Sequence, residues 1–337
     1  MKILSSRRRY YVVRISILLT MIALIAGMAG CLFPPATRNL QIRTWYDLNA
    51  IRDNLNGHHI LMNDLDSTTA GYQELAGPTA NEGKGWHPIG GPGSEGSGPP
   101  FTGIFEGQGY EIRDLFISLP GIGYVGLFSI LGEGGRIQDI GMVNAHVNST
   151  AYIGSLVGVN LGTVSNSYSS GSVSCILSAG GLVGNNLGTV SKSYSTGNVT
   201  SDYGAGGLAG GNSGTVSNCY ATGGVTGKES AGGLVGTNNG TLVNCYSVGS
   251  VTGDNDIGGL VGYSEGIVTH SFWDTETSGR ATSAGGIGKT TAQLRDIATF
   301  LGATWNITTV TSPGTRNPAY IWNIVNNTTY PFLSWQP

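Results

Sequence analysis

The chain has 337 residues, 39% of them hydrophobic and 11% charged, with 56 glycines. So much Gly without a Gly-X-Y period excludes collagen, and an apolar fraction this large with so little charge excludes a disordered chain. The formal net charge of −3 becomes −8 when the five basic residues Lys2, Arg7, Arg8, Arg9 and Arg14 of the N-terminal segment are set aside, which excludes the basic footprint of a nucleic-acid binder.

Residues 1–30 read as an export signal. "MKILSSRRRYYVVR" is a basic leader and "ISILLTMIALIAGMA" an apolar run, the order found in secretory signals. Met28-Ala29-Gly30-Cys31 then resembles the lipoprotein signal, in which small residues precede a Cys that is lipidated after cleavage. The competing reading is an uncleaved anchor, because Ile15 to Phe33 is uncharged and about long enough to span a bilayer. Ser6-Arg7-Arg8 also hints at twin-arginine export. All three readings put the body outside the cytoplasm, and the first makes Cys31 the lipidation site.

The next stretch carries two features that invite a functional reading. Asp64 and Asp66 in "MNDLDS", with His58, His59 and His87 near them in sequence, have the chemistry of metal ligands. "GIGYVG", Gly121 to Gly126, matches the dinucleotide fingerprint, but the Gly-rich "LFSILGEGGR" behind it is no helix former, so it is expected to be a turn between coils.

From here a 26-residue repeat organises the chain. Leu156, Leu182, Leu208, Leu234 and Leu260 recur in register. Two further apolar columns are Val164, Val190, Val216, Leu242, Val268 and Val173, Val199, Val225, Val251. Tyr168, Tyr194, Tyr220, Tyr246 and Phe272 form an aromatic column, and Asn160, Asn186, Asn212 and Asn238 an amide column that ends at Ser264. Each unit holds three short β-favouring runs separated by Gly, Asn and Ser, which suit tight bends. A single unit cannot bury its apolar side; stacking equivalent strands does so. With rungs ~4.8 Å apart and ~3.3 Å per residue, a 26-residue coil has a perimeter of ~86 Å or less. This predicts a three-sided parallel β-helix, right-handed as most parallel crossovers are. The column Asn166, Lys192, Asn218, Asn244, His270 contains a Lys, so it faces out or sits at a bend. The side taken by the Tyr column stays open.

Charges in the coils concentrate at one corner: Asp202, Lys228, Glu229, Asp254 and Asp256. Stacked, Asp254 and Asp256 have the chemistry to hold Ca²⁺ or accept a sugar; the plainer expectation is a solvated edge with Lys228 screening the carboxylates. Cys219 and Cys245 lie one rung apart, within disulfide reach, but Ser occupies the same column at Ser167, Ser193 and Ser271, so both a bridge and two stacked small side chains remain open, the second favoured. "GGIGKTT", Gly285 to Thr291, resembles a phosphate-binding loop. Ser283 stands where the first Gly is needed and no buried strand precedes it, so it reads as a degraded last rung, and no nucleotide is expected. Thr290 with Gln293 is a capping box for a helix in "AQLRDIATFL".

"GGLVGTNNGTLVNCYSVGSVTG" resembles the GLUG motif, a short repeat of bacterial and archaeal surface proteins. "LNGHHILMNDLDS", "GWHPIG" and "FTGIFEGQGYEIRDL" resemble segments that precede such repeats, and "SFWDTETSGRATSAGGIGKTTAQL" and "IWNIVNNTTYPFLSWQP" segments that follow them. The resemblance implies a cell-surface β-solenoid, adhesin-like, and makes Asp64 and Asp66 part of an N-terminal cap rather than a metal site. Some IgA-specific metallopeptidases carry the motif; their His-Glu-x-x-His is absent here. The expected organisation is a signal at 1–30, a linker at 31–41, an N-terminal cap and first coils at 42–120, the repeat solenoid at 121–288 and a C-terminal cap segment at 289–337.

The function expected from all this is a membrane-anchored surface module, structural or adhesive, held to lipid through Cys31, taking a glycan or a surface protein as ligand and needing no cofactor. The alternative is a carbohydrate-active enzyme, a lyase or hydrolase on the same scaffold. A groove lined by Trp45, Trp86, Trp273 or Trp305 near clustered carboxylates would favour it.

Overall fold

The computed structural model describes residues 39–91 and 98–336. The three β-favouring runs of each unit fall into three parallel sheets of nine, 13 and six strands. The nine-stranded sheet stacks "TVS"-type runs, Thr163–Ser165 on Thr189–Ser191 on Thr215–Ser217 on Thr241–Val243 on Ile267–Thr269. The six-stranded sheet stacks Val157–Asn160, Val183–Asn186, Ala209–Asn212, Val235–Asn238 and Val261–Ser264. The 13-stranded sheet collects the Tyr-bearing strands and the long strands Asn198–Gly206, Val225–Gly232 and Val251–Gly258. Among the strands from Val157 to Phe272 the register is 26 residues, so Val164 faces Val190 and Val199 faces Val225. This is the parallel β-helix that the repeat predicts.

Why the columns are composed as they are follows from where they point. The Leu column and both Val columns are buried inside the coil, apart from half-buried Val268 at the last rung. The amide column is buried too, and its polar groups pair along the stack. Asn160 Nδ2 donates to Asn186 Oδ1 at 2.7 Å, Asn186 to Asn212 at 2.8 Å, Asn212 to Asn238 at 2.7 Å, and Asn238 to Ser264 Oγ at 3.1 Å. A buried amide costs little only when satisfied; identical rungs satisfy it automatically. The Lys-containing column is the bend: Asn166, Lys192, Asn218, Asn244 and His270 all adopt φ between 47° and 54°, the left-handed region that Asn tolerates best among non-glycine residues. Gly162, Gly188, Gly214, Gly240 and Gly266 mark a turn with no room for a side chain, since a Cβ on Gly188 would lie 2.2 Å from the Gly162 carbonyl oxygen.

The N-terminal residues join the same stack. Leu40–Ile42, His58–Leu61, Ile104–Glu106 and Arg136–Gln138 are the first four strands of the nine-stranded sheet. A short helix, Trp45–Asn49, starts from a capping box between Thr44 and Asp47 and buries Trp45 against Tyr72 and Trp86. "GIGYVG" is not a turn. Its first five residues belong to the strand Phe116–Val125, whose pairing slips register between Leu119 and Gly123, the stretch that holds left-handed Gly121.

The C-terminal residues run along the flank of the stack. Ile307–Thr309, Trp322–Ile324 and Phe332–Leu333 form a separate small sheet. It covers the Tyr column, which therefore faces outward from the coil yet stays largely buried, with Tyr246 1% exposed.

Candidate functional site

The flank built on the Tyr column is the most ordered side-chain array in the protein. Successive Tyr rings stack at 5.0, 4.8 and 5.0 Å with interplanar angles of 3–5°, face to face because the strand register fixes them there. The C-terminal strap lies across this ladder through three tryptophans. Trp335 contacts Tyr168 and Tyr194, Trp322 contacts Tyr220 and Tyr246, and Trp305 contacts Tyr246 and Phe272. Each indole N–H donates to the left-handed bend column: Trp335 to Lys192 O at 3.0 Å, Trp322 to Asn218 Oδ1 at 3.3 Å, Trp305 to His270 O at 2.8 Å. Burial under this strap pushes the Tyr194 phenol up to about 12 and holds those of Tyr220 and Tyr246 well above the ordinary value.

The strap is tied down at Asp274, a fully buried carboxylate in the last aromatic strand. Its Oδ1 accepts from the Glu276 and Thr277 amides at 2.9 and 3.1 Å, and its Oδ2 from the Thr291 hydroxyl and the Tyr330 phenol, both at 2.7 Å. Four donors from three segments replace the water such a charge would otherwise need. The "WD" of "SFWDTETSG" is its sequence signal, but only the fold brings Tyr330 to it.

The acidic corner lies on the long strands just before they bend at Gly204, Ser230 and Asp256, all left-handed. Lys228 Nζ sits 2.8 Å from Asp202 Oδ2, and this bond raises its pKa. Glu229, Asp254 and Asp256 are exposed around this pair. Among the described residues no three His, Cys, Asp or Glu side chains converge as a metal cluster. Asp66 Oδ1 caps a turn by accepting the Thr68 and Thr69 amides, and Asp64 Oδ1 accepts the Glu111 amide at 2.9 Å. His59 Nε2 is 2.8 Å from the Asn54 carbonyl oxygen.

"GGIGKTT" is the last rung: Ile287–Lys289 pairs in parallel with Phe272–Asp274. Thr290 then caps a single turn, Thr291–Leu294, through the reciprocal bonds of a capping box, and a second short helix, Ile297–Leu301, follows. Cys219 and Cys245 are unbridged and buried. Each thiol donates to a carbonyl two residues back at 3.2 Å, as Ser193 and Ser271 do with their hydroxyls. Trp45, Trp86, Trp273 and Trp305 are all core residues, none more than 6% exposed, so they line no groove. The exposed large apolar side chains lie elsewhere, among them Leu177, Tyr203 and Tyr263 beside the acidic corner. The expected signal segment with Cys31 lies outside the described residues.

The GLUG motif family matches residues 201–226. Over 130 residues, 37% of this chain, the sequence is 32% identical to a protein of Evansella cellulosilytica provisionally named a Gly-rich membrane protein. Over 131 residues, 38% of this chain, it is 30% identical to halomucin of Haloquadratum walsbyi. These alignments span 14% and 1% of the two relatives' own lengths. In three dimensions the chain is similar to a crystal structure from Bacteroides ovatus, provisionally described as an immunoglobulin A1 protease. The TM-score is 0.64 at 20% identity, over 88% of this chain and 92% of that one; at that identity the likeness is one of fold. The matched residues 201–226 span one 26-residue period, and the same columns run through the coils on either side, so the chain is a β-solenoid that carries the GLUG motif in one of its coils and repeats that coil's columns in its neighbours.

Proposed function

We propose that this protein is a membrane-anchored surface module that holds out a rigid β-solenoid for binding, without catalysis. The observation that carries the reading is the division of labour among its polar side chains. Most of the buried ones are consumed by structure, in the Asn ladder, the Ser and Cys column and the Asp274 knot. Those left to solvent on the coils are mostly Ser, Thr, Asn and a few carboxylates. General acid–base chemistry is most effective with a group held in place and tuned toward the working pH, whereas the corner carboxylates stand in solvent around one lysine. One relative is provisionally named a Gly-rich membrane protein and another halomucin, which supports placement at a cell surface. Cys31 supplies the anchor on this reading. Metabolic labelling with a palmitate analogue tests it: label should enter the wild type and be lost from Cys31→Ser. Surface proteolysis of intact cells should also degrade the body. Equal label in Cys31→Ser, or a body fully protected from protease, overturns the anchored surface placement.

A further inference from the structure

A notch interrupts the exposed flank beside the acidic corner, and it arises from two departures from the repeat in one coil. The outward column of the six-stranded sheet reads Val159, Asn185, Gly211, Thr237, Tyr263, each paired in register with the next. The facing bend column reads Tyr152, Ser178, Gly204, Ser230, Asp256 at the same 26-residue spacing. Gly211 and Gly204 belong to the same coil, so both walls lose their side chains at one height. What remains is a cleft of about 340 Å³, at the small end of the ~300–1,000 Å³ range of ligand pockets. Backbone conformation does not demand Gly211: its φ is not left-handed, and an added Cβ would meet side chains alone, the Asn185 oxygen at 2.7 Å and the Ser178 hydroxyl at 4.0 Å.

The lining has a definite chemistry. Tyr152, Leu177 and Tyr203 supply apolar surface, and Leu177 and Tyr203 are 44% and 48% exposed. Asn185, Thr237 and Glu229 supply amide, hydroxyl and carboxylate groups. No intramolecular hydrogen bond engages these three side chains among the described residues, unlike the saturated Asn ladder one column away. Among the described residues no Lys or Arg lines the notch, and the nearest cation in the register, Lys228, is held by Asp202. A phosphate, sulfate or uronate would enter beside Glu229 with no cation to meet it, which is unfavourable. A purely apolar ligand would strand the amide and the hydroxyls. A ring with one apolar face and a rim of hydroxyls satisfies both halves.

We propose that the notch binds one neutral sugar residue of a glycan chain, with Tyr203 and Leu177 as apolar wall and Asn185, Thr237 and Glu229 as hydrogen-bonding partners. This rests on the reading of the protein as a surface binding module and gives that module its ligand class. The test is an array of neutral gluco-, manno-, xylo- and N-acetylglucosamine oligosaccharides, with sulfated and uronate-containing chains as comparators, probed with the full-length protein in detergent. At least one neutral series should bind, and the acidic chains should not. Gly211→Thr, which copies the residue of the next coil, and Tyr203→Ala should each weaken binding by about tenfold or more, with melting temperatures unchanged. Binding of acidic chains alone, binding untouched by both variants, or no binding to any neutral chain overturns the notch. None of these outcomes bears on Cys31 labelling or surface proteolysis, so the two proposals fail separately.

Discussion

Asn212 shows how a single residue type is fixed by its neighbours on the next rungs. Its amide accepts from Asn186 and donates to Asn238 and to the Thr241 carbonyl, so Asn212→Ala leaves polar groups unpaired above and below as well as a small void. Stability should fall by about 3 kcal/mol in urea unfolding, while substitution of the exposed Asn239 should change it little. The ladder tyrosines behave differently, because their burial disfavours the phenolate. The folded state holds Tyr194, Tyr220 and Tyr246 neutral above pH 10, where the unfolded chain releases these protons. Their contribution is therefore complete below pH 10. It declines as pH rises toward about 12, the value for Tyr194, and beyond it for the other two. A phenolate titration followed by absorbance should show these rings ionising late, together with loss of β-sheet circular dichroism. Early, independent ionisation of all 15 tyrosines would contradict the buried ladder.

Between the residue and the whole chain, the element that most depends on distant partners is the C-terminal strap. Its short strands share one apolar cluster with the Tyr column, and Trp322 is buried between Trp305 of the strap and Tyr220 and Tyr246 beneath it. Trp322→Ala should cost about 3–5 kcal/mol, and should release the strap to proteolysis before the coils unfold. The coils were legible in the sequence because they repeat: each rung's partners sit 26 residues away with the same identity, so local pattern and tertiary contact coincide. The bend column was legible for the same reason, since a Lys among Asn residues signals a place where no side chain is buried. The strap was not. Trp322 reaches Asn218 across 104 residues and Trp335 reaches Lys192 across 143, and no periodicity encodes such a pairing, so residues 289–337 read as a cap and the Tyr column had no assigned side. The notch was half visible. Gly211 breaks its column in plain sight, but only the register that sets it beside Gly204 turns a missing side chain into a cleft.

At the scale of the molecule, stability is close to a sum over coils and their interfaces, with the strap as an exception that couples several coils at once. Deleting one period, Tyr203 to Lys228, restores every interior column but brings the ladder a rung, ~4.8 Å, out of step with the strap. That variant should fold, with one end of the strap undocked and a lower melting temperature. The same deletion in a chain ending at Gly302 should cost distinctly less, a non-additivity that a double-mutant cycle reads directly. Deleting half a period, Tyr203 to Thr215, should abolish folding, because it stacks bends on strands. Coding sequences of tandem repeats gain and lose copies when they misalign during replication, and a bare solenoid tolerates either change as a longer or shorter tower. Here the tail carries a written tally of the coils beneath it, three indoles spaced for five aromatic rungs from Tyr168 to Phe272. A copy gained or lost inside that span leaves a tail that no longer fits along its whole length, so the tail penalises any change in the number of coils between Tyr168 and Phe272.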